Sequence, residues 1–517
     1  MQIIYGKDAR QKLKAGVDKV ADAVCVTLGP AGKCVVMGKS IPTPQGVQHY
    51  TPEVSKDGVS VARHIILDDH LENIGAMLIK DAAEKTMSSA GDGTSTTCLL
   101  TRALVEKAIS KIDEGVNPVE LKRDLDKECA YIVDQLKNMA IPVAGDIEKI
   151  RQIATVSANN DSSIGDLIAE AFQKIGMDGM IDIEEAKGVK TEIKVTDGFK
   201  FNRGWLSPYF ITNQTKNECE LTNPYILLYD KKLSQLKPLE NILGQILQEQ
   251  RSLLIVCDDA DGEALAGLAM NAVQGRLRSC IVRCPEFTET KREAMEDLAV
   301  VTGATYMSDE KGVELKNITL IQLGNAAKVV VGKEETIIIS GDKNKEALTD
   351  LLNNLKMNLV SAEGEEKEKI EKRIAKLQGG IAVLSVGAPT EAEMNERKDR
   401  CDDAVRATKA AIAEGYVPGA GTAFLRIENI NNPILKEVLK APLRQICINA
   451  GANEEQVLKQ VMGLKNSMGY NAKIDKIEDL IESGIIDPVK VLRCSLENAV
   501  SAAGMIITSE ALTHRLI

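Results

Sequence analysis

The sequence changes texture twice, and the two outer textures match. Residues 1–138 and 415–517 read as helix rich in alanine, whereas about 197–380 alternates short strand-like runs with helices. A chain whose ends share a pattern that its centre lacks predicts a nested layout, in which both ends build one domain and the centre is inserted. Aromatic residues are only 3% of the 517, with six Phe and one Trp. The end domain must therefore be held by aliphatic and small side chains, which suits long, closely packed helices. The length itself corresponds to about three domains.

Within the first third, Ala9, Leu13, Val17, Val20, Ala21 and Val24 share one face of a helix predicted over 8–26. Leu28-Gly29-Pro30 stops it, and Cys34 to Met37 reads as a short buried strand. Residues 40–55 carry three prolines, a glycine and interspersed β-formers, predicting a long hairpin or loop. Helices are predicted at 71–90, 94–114, 118–138 and across 146–176, followed by strands and an Asp178-Gly179 turn. In the centre, YILLYD, SLLIVCDD, SCIVRCP, ATYM and AAKVVVGKEETIIIS are the strand-like runs, and 234–250, 262–275 and 289–302 the helices. That alternation predicts an α/β domain with a buried sheet. The charged run 363–376 reads as a solvated helix, IAVLSVGA after Gly379-Gly380 as a strand, and 391–414 as a helix.

Charge and cysteine usage narrow the function. Lys and Arg number 64 against 75 Asp and Glu, a net charge of −11, so a nucleic-acid backbone is not the expected partner. No apolar run approaches the roughly 18–20 residues of a membrane span, and MQIIYGKDAR has no signal-peptide or transit pattern. The 11 cysteines are scattered without a CxxC pair, the closest spacing being Cys280 to Cys284. Buried thiols in a reducing, cytoplasmic setting are the expectation.

The strongest local signal is Ala90-Gly91-Asp92-Gly93-Thr94-Ser95-Thr96-Thr97, leading into an amphipathic helix. Glycines let a ligand approach the backbone, and the free N–H groups of a helix start attract phosphate. Asp92 would repel that phosphate unless a magnesium ion bridged the two. An ordinary Asp/Thr helix cap is the competing account. Other phosphate-loop patterns fail. Gly38-Lys39-Ser40 has Lys33 where the P-loop needs glycine, Gly419-Ala420-Gly421 does not continue as GxGxxG, and HExxH and GxSxG are absent. His64 and His70 flank Asp68-Asp69, a weak metal pattern given no role.

Together the segments are more specific. VTLGPAGKCVVM (26–37), SKDGVSVAR (55–63), AGDGTSTT (90–97), RCDDAVRATKAAIAEGYVPGAGTA (400–423) and GIIDPVKVLRCSLENAVSAAGMIITSE (484–510) closely resemble the group I chaperonins, the 60-kDa heat-shock protein family of GroEL type. IATVSANND (153–161), GFKFNRGWLSPYF (198–210), DGEALAGLAMNAVQG (261–275) and LRQICINAG (443–451) do so too, in register from about residue 5 to 510.

The resemblance implies a multidomain α+β chaperonin fold. A mostly helical equatorial domain would come from 1–138 and 414–517, a small intermediate α/β domain from 139–196 and 381–413, and an α/β apical domain from 197–380. It implies an ATPase that captures non-native polypeptides and folds them in a ring cavity, with seven subunits per ring and a small co-chaperonin lid. A ring-forming holdase with weak turnover is the alternative. Carried over, the ATP pocket comprises Thr27, Leu28, Gly29, Pro30, Lys56, Asp92, Gly93, Thr94, Ser95, Thr96, Gly419, Ala420, Gly421, Asn471, Ala472 and Asp487. Asp92 would hold Mg2+, with K+ as a further cofactor, and Asp57 and Asp403 would orient and activate the attacking water. Asp402 and Asp403 point about 100° apart on a helix, so only one can face the pocket, and the family pattern selects Asp403. Clients would meet Trp205, Tyr209, Phe210, Leu243, Leu265, Ala269 and Met270, with Asn271 on the rim. By spacing alone, the stripe Leu265, Leu268, Ala269 and Ala272 reads as core. Departures from the family pattern are the long 40–55 hairpin, Glu240 on the groove helix, Ala420 and Lys473 in the pocket, and an end at THRLI without a Gly-Gly-Met tail.

Overall fold

The computed structural model describes residues 2–514 apart from 39, 44, 45, 50, 51, 178, 187, 197, 215, 286–288, 309–314, 340–343 and parts of 362–380. Asp178 of the expected turn, Gly379-Gly380 and the last three residues lie outside this set, as does much of 363–376.

From the N-terminus, strand Gln2–Tyr5 leads into helix α1 (Gly6–Cys25), whose buried face is Ala9, Leu13, Val17, Val20, Ala21 and Val24. A ribbon follows. Strand Val35–Met37 pairs antiparallel with Glu53–Ser55, and Ser40–Thr43 pairs with Gly46–His49 between them. Then come α2 (Gly58–His64), α3 (His70–Ala90), α4 (Thr94–Asp113) and α5 (Pro118–Asn138). The predicted 146–176 helix is two, Ile147–Ser157 and Ser162–Ile175. The break falls at Asn159 and Asn160, with φ of 56° and 63°. Asparagine tolerates the left-handed region better than most residues, because its short amide can bond locally.

The chain then enters its central α/β part. Tyr225–Tyr229, Leu253–Cys257 and Ser279–Arg283 pair in parallel, with Tyr306–Met307 on the far side of the first. Each of the first two crossovers carries one helix, α6 (Glu240–Gln248) and α7 (Gly262–Val273). A second, antiparallel sheet runs in the order Gly198–Phe201, Thr336–Ile339, Lys328–Val331, Cys219–Thr222. The predicted strand runs fall on these elements. The return limb holds α8 (Glu391–Glu414) and α9 (Val489–Thr508). The limb also contains β elements that its helical texture did not signal: Tyr416–Pro418 pairs with Ile486–Pro488, and Met468–Asn471 with Lys476–Asp479.

Contacts divide the chain into two compact units. Unit 1 is 1–173, 183–192 and 385–517; unit 2 is 174–182 and 193–384. The segments 139–196 and 381–413 are thus distributed over both units. In unit 1, α9 packs on α3, α4 and α5, and α1 on α3 and α4. The approach of α1 to α3 explains why a chain poor in aromatics suffices. A Cβ on Gly16 would lie 1.9 Å from the Glu72 carbonyl oxygen, and one on Gly75 2.0 Å from that of Leu13. The termini also meet in unit 1, where Gln2–Tyr5 pairs antiparallel with Ala511–His514.

Candidate functional site

The site forms where α4 begins. Gly91 ends α3 at φ 77°, and Gly93, at φ 91°, is the residue from which α4 starts. No side chain caps α4. Asp92 stands one residue too early for that task, its carboxylate accepting the Gly93 N–H at 2.5 Å. The capping account of this segment therefore fails, and the first-turn N–H groups of a 20-residue helix meet a cleft lined by Gly93 to Thr96. Glycine is needed here twice over. A Cβ on Gly93 would come within 2.5 Å of Ser495 Oγ, and one on Gly91 within 2.1 Å of the Arg406 Cβ. The Gly93 carbonyl in turn accepts from Ser495 Oγ at 3.1 Å and from Thr97 Oγ1 at 3.0 Å.

Other segments close around this helix start. Thr27, Leu28, Gly29 and Pro30 form one wall. Gly29 turns at φ 83°, and Thr27 Oγ1 shares a 3.2 Å hydrogen bond with Ser95 Oγ. The amide of Asn449 holds the turn by donating to the carbonyls of Cys25 at 2.9 Å and Leu28 at 2.8 Å. Lys56 and Asp57 form a second wall, at the head of α2. Asp57 caps α2, accepting from the N–H groups of Val59 at 3.2 Å and Ser60 at 2.8 Å. Gly58 brings α2 against α4, since a Cβ there would lie 2.5 Å from Ser95 Oγ and 2.8 Å from Thr94 Oγ1.

The return limb supplies the rest. Val417 lies opposite Asp487 in the short strand pair, and the Gly419 N–H donates to the Ile485 carbonyl at 2.9 Å. Ala420 at φ 52° and Gly421 at φ 73° turn the chain along the cleft. Asn471, Ala472 and Lys473 stand at the hairpin. The Asn471 amide donates to Glu478 at 2.7 Å, and its oxygen accepts the Lys473 N–H at 3.0 Å. Asp403 lines the cleft from α8 together with Glu396, Asp399 and Arg400, while Asp402 does not. Of the expected nucleotide-pocket residues only Gly419 stays out of the lining, behind the turn it anchors.

Several lining residues escaped sequence reasoning. Ser157, Asn159 and Asn160 reach the cleft from the helix break, and Tyr470 and Phe424 from the return limb. The Asn-Asn pair at 159–160 was a turn signal that could have located the first group. Arg400 is the guanidinium among these acids, bonded to Glu396 at 2.5 Å and Asp161 at 3.2 Å.

The cleft concentrates negative charge. Burial pushes the Asp403 carboxyl well above the usual range, and Asp57 and Asp92 add to the rise. Asp92 is raised by burial too, against the opposing bonds from the Gly93 N–H and from Ser157. Burial, then the charge of Asp92, push Asp487 up to about 7. Among the described residues no three His, Cys, Asp or Glu side chains converge to hold an ion by themselves. The donor chemistry, the hard Asp92 carboxylate beside the uncapped N–H groups of a helix start, would suit a magnesium ion whose remaining ligands are phosphate oxygens and water. It does not fit an all-protein cage.

The expected client residues belong to unit 2 and fare differently. Phe210 is 1% exposed and Ala269 6%, so both are core rather than groove. Trp205, Leu243 and Leu265 pack partly buried against that core. The Trp205 ring N–H donates to the Asn217 carbonyl at 3.4 Å, and the Asn271 amide to the Gly267 carbonyl of its own helix at 2.8 Å. Tyr209 at 68% and Met270 at 56% are open. The reason is geometric: Pro208–Phe210 packs as a single turn against α7, so adjacent residues point in opposite directions. Glu240 opens α6 on the exposed side, where a carboxylate favours a helix N-terminus.

A helical unit assembled from both chain ends, an α/β insertion and a cleft at a helix start within the first unit are together the architecture of a chaperonin. The chain matches the TCP-1/cpn60 chaperonin family over residues 20–514 and belongs to it. Two solved structures share its fold. Both are of the chaperonin gp146 from bacteriophage EL 2 (Pseudomonas aeruginosa) in the presence of ATP-BeFx, at 21% identity. One crystal form superposes with a TM-score of 0.66, covering 99% of each chain. The other gives 0.63 and covers 100% of each. Among the described residues, no helix is long and apolar enough to cross a membrane.

Proposed function

We propose that the protein is an ATP-dependent chaperonin whose unit 1 cleft binds and hydrolyses ATP and whose unit 2 captures non-native polypeptides. The observation that carries the ATP reading is the uncapped start of α4 facing buried carboxylates. The N–H groups and hydroxyls of Thr94, Ser95 and Thr96, with Lys56, would receive the phosphates. Thr27 to Pro30 would press on the nucleotide from one side, and Ala420, Gly421, Asn471 and Ala472 would meet its sugar and base. Asp92 would hold the magnesium ion, with Asp487 close by. When bound, that ion neutralises phosphate charge. Asp403, whose raised proton affinity suits a base, accepts a proton from the attacking water, and Asp57, fixed by its two N–H bonds, orients that water.

Tyr209, Met270 and the exposed edges of Leu243 and Leu265 would form the client surface, over a core that includes Phe210 and Ala269. An apolar surface of this kind binds exposed apolar chain with little sequence preference. Assembly into seven-membered rings, with the 35–55 ribbon as a contact between subunits and a co-chaperonin lid, belongs to the same proposal. Two measurements on the purified chain test it: magnesium-dependent phosphate release from ATP, and ATP-sensitive suppression of aggregation of a denatured protein. Aggregation suppressed with no turnover would leave a holdase. Absence of both activities would overturn the reading.

A further inference from the structure

Two adjacent parallel strands place a second, quite different hollow on unit 2. Leu253 pairs with Ser279, and the Leu253 N–H donates to the Arg278 carbonyl at 3.0 Å. The turns that enter these strands, 249–252 after α6 and 274–278 after α7, therefore lie side by side. The hollow between them is lined by Thr222, Leu247, Gln250, Arg251, Ser252, Gly275, Arg276 and Arg278. Its lining includes three arginines and no acidic residue, on a chain whose net charge is −11.

The three arginines are not equivalent. Arg251 is built in, donating to the carbonyls of Asn223 and Pro224 and the side-chain oxygens of Asn223 and Asn325 at 2.7–3.3 Å. Its guanidinium lies 3.7 Å from the centre of the Tyr225 ring. All four acceptors are neutral, so its charge is held in place without being cancelled by them. Glu249, bonded to the Tyr225 hydroxyl at 2.6 Å, stays outside the lining. Arg276 and Arg278 alternate outward about buried Leu277, and among the described residues neither side chain makes a hydrogen bond or ion pair. The competing account is that they merely offset the negative ends of α6 and α7, which finish here. That accounts for a cation near each helix end, not for three arginines lining one hollow.

The surroundings are apolar. Leu243 and Leu247, four apart on α6, and Met270 and Val273, three apart on α7, run toward the hollow, with Leu247 42% and Val273 62% exposed. We propose that the hollow is an anion subsite of the client surface, taking a carboxylate-bearing segment that follows an apolar stretch of a non-native polypeptide. The proposal rests on the client reading of unit 2. Guanidinium forks match carboxylates in shape and charge, so the subsite would favour clients whose apolar segments border acidic ones.

The test uses the full chain and fluorescent peptides with one apolar stretch followed by four glutamates, four glutamines or four lysines, read by anisotropy at low salt. The glutamate peptide is expected to bind about fivefold tighter than the glutamine peptide, the scale of a few exposed ion pairs. The preference should vanish in Arg276→Ser/Arg278→Ser and weaken with added salt, while glutamine-peptide affinity stays unchanged. Equal binding of the glutamate and glutamine peptides, or a preference that survives the double substitution, overturns the subsite alone. Failure of every peptide to bind overturns the client reading with it. Displacement by inorganic phosphate, beyond what chloride of equal ionic strength achieves and with no glutamate preference, would reassign the hollow to small anions and overturn the polypeptide proposal.

Discussion

The cleft of unit 1 and the proposed client surface of unit 2 both draw on residues carried over from the family pattern, yet the fold treats them in opposite ways. Seven segments separate in sequence deliver their expected residues to the cleft, pinned by backbone geometry: a left-handed glycine, a helix start, a strand pair. On the client surface, Phe210 and Tyr209 are neighbours in sequence but 1% and 68% exposed. Phosphate chemistry needs donors at fixed positions, so its residue types are unusual and readable. Apolar capture needs only uncovered hydrophobic area, and the same residue types fill the core.

The largest effect should fall on the client side, where the two roles can be separated. Phe210→Ala should cost about 3–5 kcal/mol, as expected for emptying a buried phenyl site, and should lower the unfolding midpoint. Met270→Glu should leave that midpoint nearly unchanged while reducing capture of a denatured protein severalfold, since a carboxylate must then be desolvated against an apolar client. Chemical unfolding and aggregation assays on both variants decide. If Phe210→Ala loses capture at full stability, the assignment of core and surface is reversed.

Next in size is Asp403→Ala, expected to slow ATP hydrolysis on the order of 10²-fold while retaining nucleotide binding, the usual scale for a positioned base. Turnover within about threefold of the parent would remove Asp403 from the chemistry. A smaller effect tests whether the cleft depends on close approach. Gly58→Ala sets a methyl group 2.5 Å from Ser95 Oγ, so the α4 hydroxyls must shift. ATP affinity should fall about tenfold, with a stability cost of about 1–2 kcal/mol. Calorimetric titration with Mg-ATP would expose an unaltered cleft.

How far all this was legible follows the same division. Helices α3, α4, α5 and α8 begin and end within a residue of their predicted bounds, because Asp69, Gly93, Asn117 and Thr390 immediately precede their first turns. The strand pair carrying Asp487 was hidden: Ile486–Pro488 is only three residues long. So short a segment has no periodicity of its own. Asn449 was unreadable as the clamp on the 25–28 turn because its partners are more than 400 residues away in sequence. The arginine hollow was equally silent, since its turns become neighbours only through the pairing of Leu253 with Ser279.

The smallest expected effect bears most directly on the claim that the cleft is dictated by backbone. Ala420 holds φ 52° at the turn between the strand ending at Pro418 and the Gly421 helix start, a conformation in which a Cβ crowds the following carbonyl. The family pattern usually carries glycine at this position, and nothing in the cleft requires the methyl group for a hydrogen bond. Ala420→Gly should therefore stabilise the chain by about 0.5–1 kcal/mol: relief of the left-handed strain outweighs the extra freedom glycine gives the unfolded chain. The shift would appear as a higher denaturant midpoint at constant slope, with ATP affinity preserved. A lower midpoint would mean that the methyl group packs against the cleft wall more strongly than the backbone resists it. Side-chain contact, and not main-chain geometry, would then hold this part of the site.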